Sequence, residues 1–379
     1  MHYTLHLTNN CNLNCDYCYV KHNSEIMTQE IAFKVIDNAI EAKQKRCGVA
    51  FFGGEPLLCK DLIKKIVLYA RKAAEGTETK FYFKMTTNGT LLDNEFTEFC
   101  RAENVFVAIS LDGIPAAHNA HRLDKNGKGT YEKTASAAKL LLKSMPNSPV
   151  MMTVNPDTVY YYAESVSHLF SLGFVTVLCG LNYSADWKAK DINELKRQYK
   201  KLAQIYYENT LAEKKFYLGP FESKINSHIN NRTYCADRCE LGRKQISIAP
   251  DGSIYPCYEF VGDANYKTGD VWNDLNTDFH QRLIQQNIVK QNPSEKDECA
   301  VCAIRPRCNH YCACQNRRAT GSCYKISPVL CRHEQIILLA ADKLAERLYK
   351  KRSELFIQKH YNDYYPIISI VEDKAVVSD

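Results

Sequence analysis

HYTLHLTNNCNLNCDYCY, residues 2–19, decides how this chain reads. Its first seven positions alternate larger apolar residues with polar ones, the period of a half-buried strand. Cys11, Cys15 and Cys18 follow at once, spaced x3 and x2. A structural zinc site takes four protein ligands and a 4Fe-4S cluster normally takes four thiolates. Three thiols in one loop leave a coordination position open in either case. Spacing alone does not choose between zinc and a cluster.

The setting of the loop narrows the choice. Strand-like runs at 3–8, 48–52, 80–86, 106–111, 150–155 and 174–180 alternate with amphipathic stretches such as TQEIAFKVIDNAIEAKQ and DLIKKIVLYARKAAEG. Repeated strand-helix units specify a parallel sheet. Six of them predict an α/β fold, a partial (β/α)6 TIM-like barrel, with its chemistry at the carboxyl ends of the strands. The cysteine loop, FGGEP (52–56), TTNGT (86–90) and SLDG (110–113) each follow or close a predicted strand, so they should meet at one mouth.

The expected organisation is a barrel over 1–215, a linker over 216–230, a small cysteine-rich domain over 231–335, and a C-terminal helix and tail over 336–379. The helical pattern of the last part runs from about residue 332 to 359.

Of 379 residues, 45% are hydrophobic and 24% charged, and the formal net charge is +6. Basic and acidic residues are interspersed, so no nucleic-acid partner is expected. With no long apolar run and no signal-peptide pattern, no membrane partner is expected either, and the expected location is the cytoplasm. Seventeen cysteines in a reducing compartment point to metal or cluster ligation rather than disulfides. Isolated ones such as Cys47, Cys59, Cys100 and Cys179 read as small buried hydrophobes.

CxxxCxxC, with Tyr17 before the last cysteine and this strand-helix series around it, resembles the radical S-adenosylmethionine (SAM) superfamily. The resemblance implies that Cys11, Cys15 and Cys18 hold a 4Fe-4S cluster whose open iron binds SAM. It places Tyr17 at that cofactor and gives Gly53, Gly54 and Glu55 of GGEP to the SAM amino group. It also gives Ser110 and Arg122 to the SAM carboxylate, a partner that suits the guanidinium fork. Asn88 and Asp112 suit ligand contact and turn or capping roles equally.

A second cysteine field reads C235-x3-C239, G252-x4-C257, C299-x2-C302-x5-C308-x3-C312 and finally C331. It resembles the SPASM extension, which binds auxiliary clusters. That resemblance implies one auxiliary 4Fe-4S cluster on Cys235, Cys239, Cys257 and Cys312, and another on Cys299, Cys302, Cys308 and Cys331. Cys314 and Cys323 stand as replacements, Cys323 for Cys331 in particular, and a pair of zinc ribbons is the bland alternative.

The segment YPCYEFVGDANYKTGDV, residues 255–271, resembles peptide maturases that join a cysteine sulfur to a peptide carbon. Anaerobic sulfatase-maturating enzymes share the three-cluster layout but place an acid directly after the PC; here that position is Tyr258, with Glu259 beside it. Tyr258 and Glu259 are the candidate catalytic residues, and packing over the cluster is the plainer role for Tyr258. The resemblance also implies a Cys-containing precursor peptide and an external low-potential electron donor. With ten residues before Cys11, a leader-binding domain is expected to be absent or on a separate protein. A non-enzymatic electron carrier or zinc scaffold is the alternative of another class; it has no use for GGEP or an open iron.

Overall fold

A computed structural model describes residues 1–230, 241–286, 299, 301–309, 312–362 and 364–365. The six expected strands form as β1 (His2–Thr8), β2 (Arg46–Gly53), β3 (Lys80–Thr87), β4 (Val105–Ser110), β5 (Val150–Val154) and β6 (Thr176–Leu181). Each pairs in parallel with the next. The crossovers carry α1 (Gln29–Glu41), α2 (Lys60–Ala73), α3 (Asn94–Ala102), α4 (Pro115–His121) with α5 (Tyr131–Ser144), and α6 (Tyr162–Ser171).

Local chemistry explains the boundaries. Thr28 and Asp93 cap α1 and α3 by accepting from Ile31 N and Phe96 N. Tyr3, Leu5 and Leu7 of β1 enter the main core with Ile31, Val35 and Ile36 of α1. By the two-residue period of a strand, Thr4, His6 and Thr8 face the other, concave side.

The sheet is larger than six strands. Helix α7 (Ala189–Leu211) leads to β7 (Tyr217–Leu218), which pairs in parallel with β6. Helix α8 (Gly219–Ile229) follows. The stretch expected as a linker is therefore folded, with Phe221 and Ile225 in the main core. A two-residue strand is too short to show a period, which hid it.

On the opposite edge β8 (Gln245–Ile248) pairs in parallel with β1, and β9 (Ser253–Tyr255) and β10 (Gly269–Asp270) continue antiparallel. The order is β10-β9-β8-β1-β2-β3-β4-β5-β6-β7. The cysteine-rich hairpin thus extends the barrel sheet and shares a strand neighbour with the cysteine loop.

After α9 (Phe279–Gln285) the described residues include α10 (Ala313–Thr320), α11 (Pro328–Lys350) and α12 (Glu354–Tyr361). The expected single C-terminal helix is two. Arg352 breaks it with a left-handed φ of 53°, and Ser353 caps α12. Helix α11 is tied to α8 by a buried ion pair, Lys224 Nζ to Glu334 Oε2 at 2.5 Å. Asn309 N donates to the same Glu334 oxygen at 3.0 Å, and Arg307 bridges Ser227 and Asp342. These bonds dock the 301–309 loop on α8 and α11. Among the described residues no helix is long and apolar enough to cross a membrane.

Burial keeps four histidines neutral, lowering His6, His333 and His360 to about 3 and His118 to about 4. A histidine whose folded pKa is depressed favours folding fully above its unfolded value, and that advantage is lost as pH falls toward the folded value. Each such group costs about 1.4 kcal/mol per pH unit below about 6.5, so four cost roughly 8 kcal/mol by pH 5. Denaturant midpoints should therefore fall steeply from pH 7.5 to pH 5; equal midpoints would contradict these assignments.

Candidate functional site

The cysteine loop is clamped between three strand ends. Gly54 N donates to Thr8 O at 2.8 Å and Glu55 N to Asn10 O at 2.9 Å. A Cβ on Gly54 would lie 2.1 Å from Asn10 O, and one on Gly53, at φ 127°, 2.2 Å from Thr8 O. The two glycines are demanded by this close approach of backbone to backbone. On the other side Asn14 N and Asp16 N donate to Leu123 O and His121 O. Cys18 N closes a turn on Cys15 O at 3.1 Å.

Cys11 is buried, Cys15 half-buried and Cys18 exposed, so the loop runs from the core to the mouth. Leu13 N and Asn88 Nδ2 point at Cys11 Sγ, at 3.4 and 3.9 Å. Burial pushes the Cys11 thiol up to about 12 and Cys15 to about 11, the latter held back by the Arg122 charge. Iron would take the place of those protons on binding.

Among the described residues no three His, Cys, Asp or Glu side chains converge as ligands of a single ion. A four-iron cluster spreads its thiolates one per iron, so this more open loop, rich in soft sulfur donors and backed by N–H groups, fits it.

Glu55 already has protein partners. Its buried carboxylate accepts from Leu57 N at 2.9 Å, Thr87 Oγ1 at 2.6 Å and Asn88 N at 2.8 Å. The side chain is a brace between the ends of β2 and β3. Burial raises its pKa despite those donors.

Arg122 likewise has a protein partner. Its Nε and Nη2 grip Asp112 at 2.8 and 3.2 Å in a buried fork, and Tyr17 OH donates to Asp112 Oδ2 at 2.6 Å. Thr153 N adds a fourth bond at 2.9 Å, and the guanidinium lies 5.4 Å from the Tyr17 ring centroid. Burial pushes the Asp112 carboxyl up, but the Arg122 charge and these bonds outweigh it and hold it below the usual range. Arg122 and Tyr17 therefore support the loop from behind, beside Cys15. Ser110 stands half-buried at the end of β4.

In the second cysteine field Cys235 and Cys239 lie outside the described residues. Cys257 and Cys312 come together, with Cys314 between them: its sulfur is 3.8 Å from that of Cys257 and 3.3 Å from that of Cys312. Gln245 Nε2 of β8 reaches Cys257 Sγ at 3.9 Å, so this cluster of thiols touches the extended sheet.

Cys299, Cys302 and Cys308 follow one another through tight turns, Cys302 N to Cys299 O and Cys308 N to Arg305 O. Cys331 lies in the first turn of α11, three residues before Glu334, which holds Asn309 N. Residues three apart share a helix face, so Cys331 is on the side where the loop of Cys308 docks. Cys323 instead faces Tyr266 OH, at 3.6 Å.

The two catalytic candidates part company. Tyr258 packs against Phe52 and Tyr19, at ring separations of 5.3 and 6.0 Å, and lines a cavity of about 240 Å³ with them close by. Glu259 does not line it; its buried carboxylate meets Arg318 at 3.5 Å. Burial raises the Glu259 pKa, and Arg318 opposes the rise. His6 and Tyr19, which the motifs did not single out, also line the cavity. The inward position of His6 in a strand whose other face is apolar was the available signal.

The family model described as the radical SAM superfamily matches residues 5–166, and the SPASM model, an iron-sulfur cluster-binding domain, matches 239–303. A cysteine-type anaerobic sulfatase-maturating enzyme of Clostridium novyi is 24% identical over 322 residues, covering 80% of this chain and 85% of its own. Among solved structures, anSMEcpe with bound AdoMet and the Cp18Cys peptide superposes with a TM-score of 0.78 at 22% identity, over 93% of this chain and 99% of that one. Streptococcus suis SuiB bound to the precursor peptide SuiA gives 0.61 at 13% identity, over 87% and 75%.

Proposed function

Taking as premise that the chain is an enzyme of the radical SAM superfamily with a SPASM domain, we propose that it matures a ribosomally made peptide by joining cysteine sulfur to carbon. The observation that carries this reading is the cavity wall: Tyr258 occupies it, while Glu259 is turned to Arg318. A neutral aromatic wall suits positioning of a thiol and its acceptor better than the acid-base step of formylglycine synthesis.

SAM at a reduced 4Fe-4S cluster supplies hydrogen-atom abstraction when bound. Cys11, Cys15 and Cys18 would hold three irons, and the backbone of Gly53 and Gly54 with Ser110 would meet SAM. Asp112, Arg122 and Tyr17 keep the loop in place, and Glu55 fixes the GGE turn. Two auxiliary clusters follow on the eight expected cysteines, for a total of three, with Cys314 placed to serve between Cys257 and Cys312. Tyr258, kept protonated by burial, would orient the substrate thiol, which leaves Glu259 of the two candidates to take a proton. An external low-potential donor supplies electrons, and the cytoplasm keeps the thiols reduced.

The second reading, formylglycine synthesis, is favoured by the Clostridium novyi relative and by the buried acid one residue past Tyr258. One incubation separates them. The anaerobic, iron-loaded chain is given SAM, reductant and the cysteine-rich peptide encoded nearest its gene. Each thioether removes one hydrogen from carbon and one from sulfur, so the peptide should lose two hydrogens per crosslink and resist thiol reductants. An aldehyde on a sulfatase-type peptide, with the cysteine-rich peptide unchanged, would overturn the crosslinking reading.

A further inference from the structure

His6 is 1% exposed, and neither ring nitrogen has a hydrogen-bond partner. Leaving such atoms unpaired in the interior forfeits hydration with no return, so a partner is called for. The ring sits on the concave face of β1 and lines the cavity of about 240 Å³ between β1, residues 19–25 and the hairpin of β8 and β9. Tyr19 OH is a second buried polar atom without a partner, and Tyr19 lines the same cavity. Phe52 packs 5.4 Å from the His6 ring, and Tyr258 packs on Phe52, which gives the space an apolar side. Glu25 and Asp251 on the lining outnumber Lys21.

We propose that this cavity seats one peptide unit of the substrate, and that His6 reads it as a positioning residue. Neutral imidazole carries one N–H donor and one bare nitrogen acceptor, the complement of a backbone C=O and N–H. Tyr19 OH adds a second donor for the carbonyl. Neutral donors beside two carboxylates disfavour an anionic ligand, whereas an uncharged amide meets no repulsion. The aromatic side receives the attached side chain. This inference rests on the substrate being a peptide and not on the bond that is formed.

Calorimetric titration of the iron-loaded full chain with N-acetyl-cysteine methylamide, and with the matching methyl ester, tests it. The ester keeps the carbonyl and loses the N–H. The unsubstituted chain should bind the amide roughly tenfold more tightly than the ester. His6→Leu should weaken amide binding by a similar factor and abolish the preference, while His6→Gln, which keeps a donor and an acceptor, should restore part of it. Amide and ester binding alike, no binding of either, or a His6→Leu chain that keeps the preference would each overturn the proposal. If His6→Leu does not fold, the amide-ester comparison on the unsubstituted chain still decides. His6-dependent binding without thioether formation would leave this seat standing and sink the crosslinking reading instead.

Discussion

Replacing Cys15 by Ala abolishes 5′-deoxyadenosine formation and removes roughly four of roughly twelve irons. Cys15 is the middle cysteine of a loop held at both flanks, by Gly54 N and Glu55 N on one side and by the carbonyls of His121 and Leu123 on the other. The loop cannot slide another sulfur into its place. With two thiolates left, the cluster loses its hold, and no open iron remains for SAM. The auxiliary thiols are built on other elements, Cys257 after β9 and Cys331 in α11, so their iron should stay. Cys11→Ala and Cys18→Ala should behave alike. Iron analysis with chromatography of SAM products checks all three. SAM cleavage by any of them at the unsubstituted rate would remove the foundation of the reading.

Asp112→Asn should destabilise the fold by about 3–5 kcal/mol, because it leaves the Arg122 guanidinium buried without its counter-charge. The pair is enclosed, with side-chain exposures of 11% and 2%, so solvent offers little compensation. The substitution also weakens the seat of Tyr17, one residue before Cys18. Denaturant unfolding of the unsubstituted chain, Asp112→Asn and Asp112→Leu/Arg122→Met gives the comparison. The double substitution should cost less than the single one, since replacing both partners removes the stranded charge. A single substitution costing under about 1 kcal/mol would mean the ion pair is not the brace described.

Both predictions concern residues whose roles the motifs identified only in part. The alternation of HYTLHLT and the helical spacing of the intervening stretches placed six strands within about two residues, because burial on one face writes a period into sequence. Strand β7, two residues long, has no period, and β8 pairs with β1 across more than two hundred positions of chain. Neither a short pairing nor a remote one leaves a local mark.

The site shows the same division. Cysteine spacing pointed to Cys11, Cys15 and Cys18, since few other roles concentrate thiols so closely. Glu55 and Arg122, by contrast, carry chemistry that could serve a ligand or a brace. The bracing contacts with Thr87, Asn88 and Asp112 become visible only in the folded chain. Cys314 looked unassigned because its place between Cys257 and Cys312 depends on how the hairpin meets α10.

The proposed function has this chain take a hydrogen atom from a cysteine-containing peptide. The incubation that measures crosslinking tests it most directly when the peptide is deuterated at its carbon positions. The account predicts deuterium in the 5′-deoxyadenosine, together with a thioether in the peptide. 5′-Deoxyadenosine free of deuterium, alongside an unchanged peptide, would contradict it.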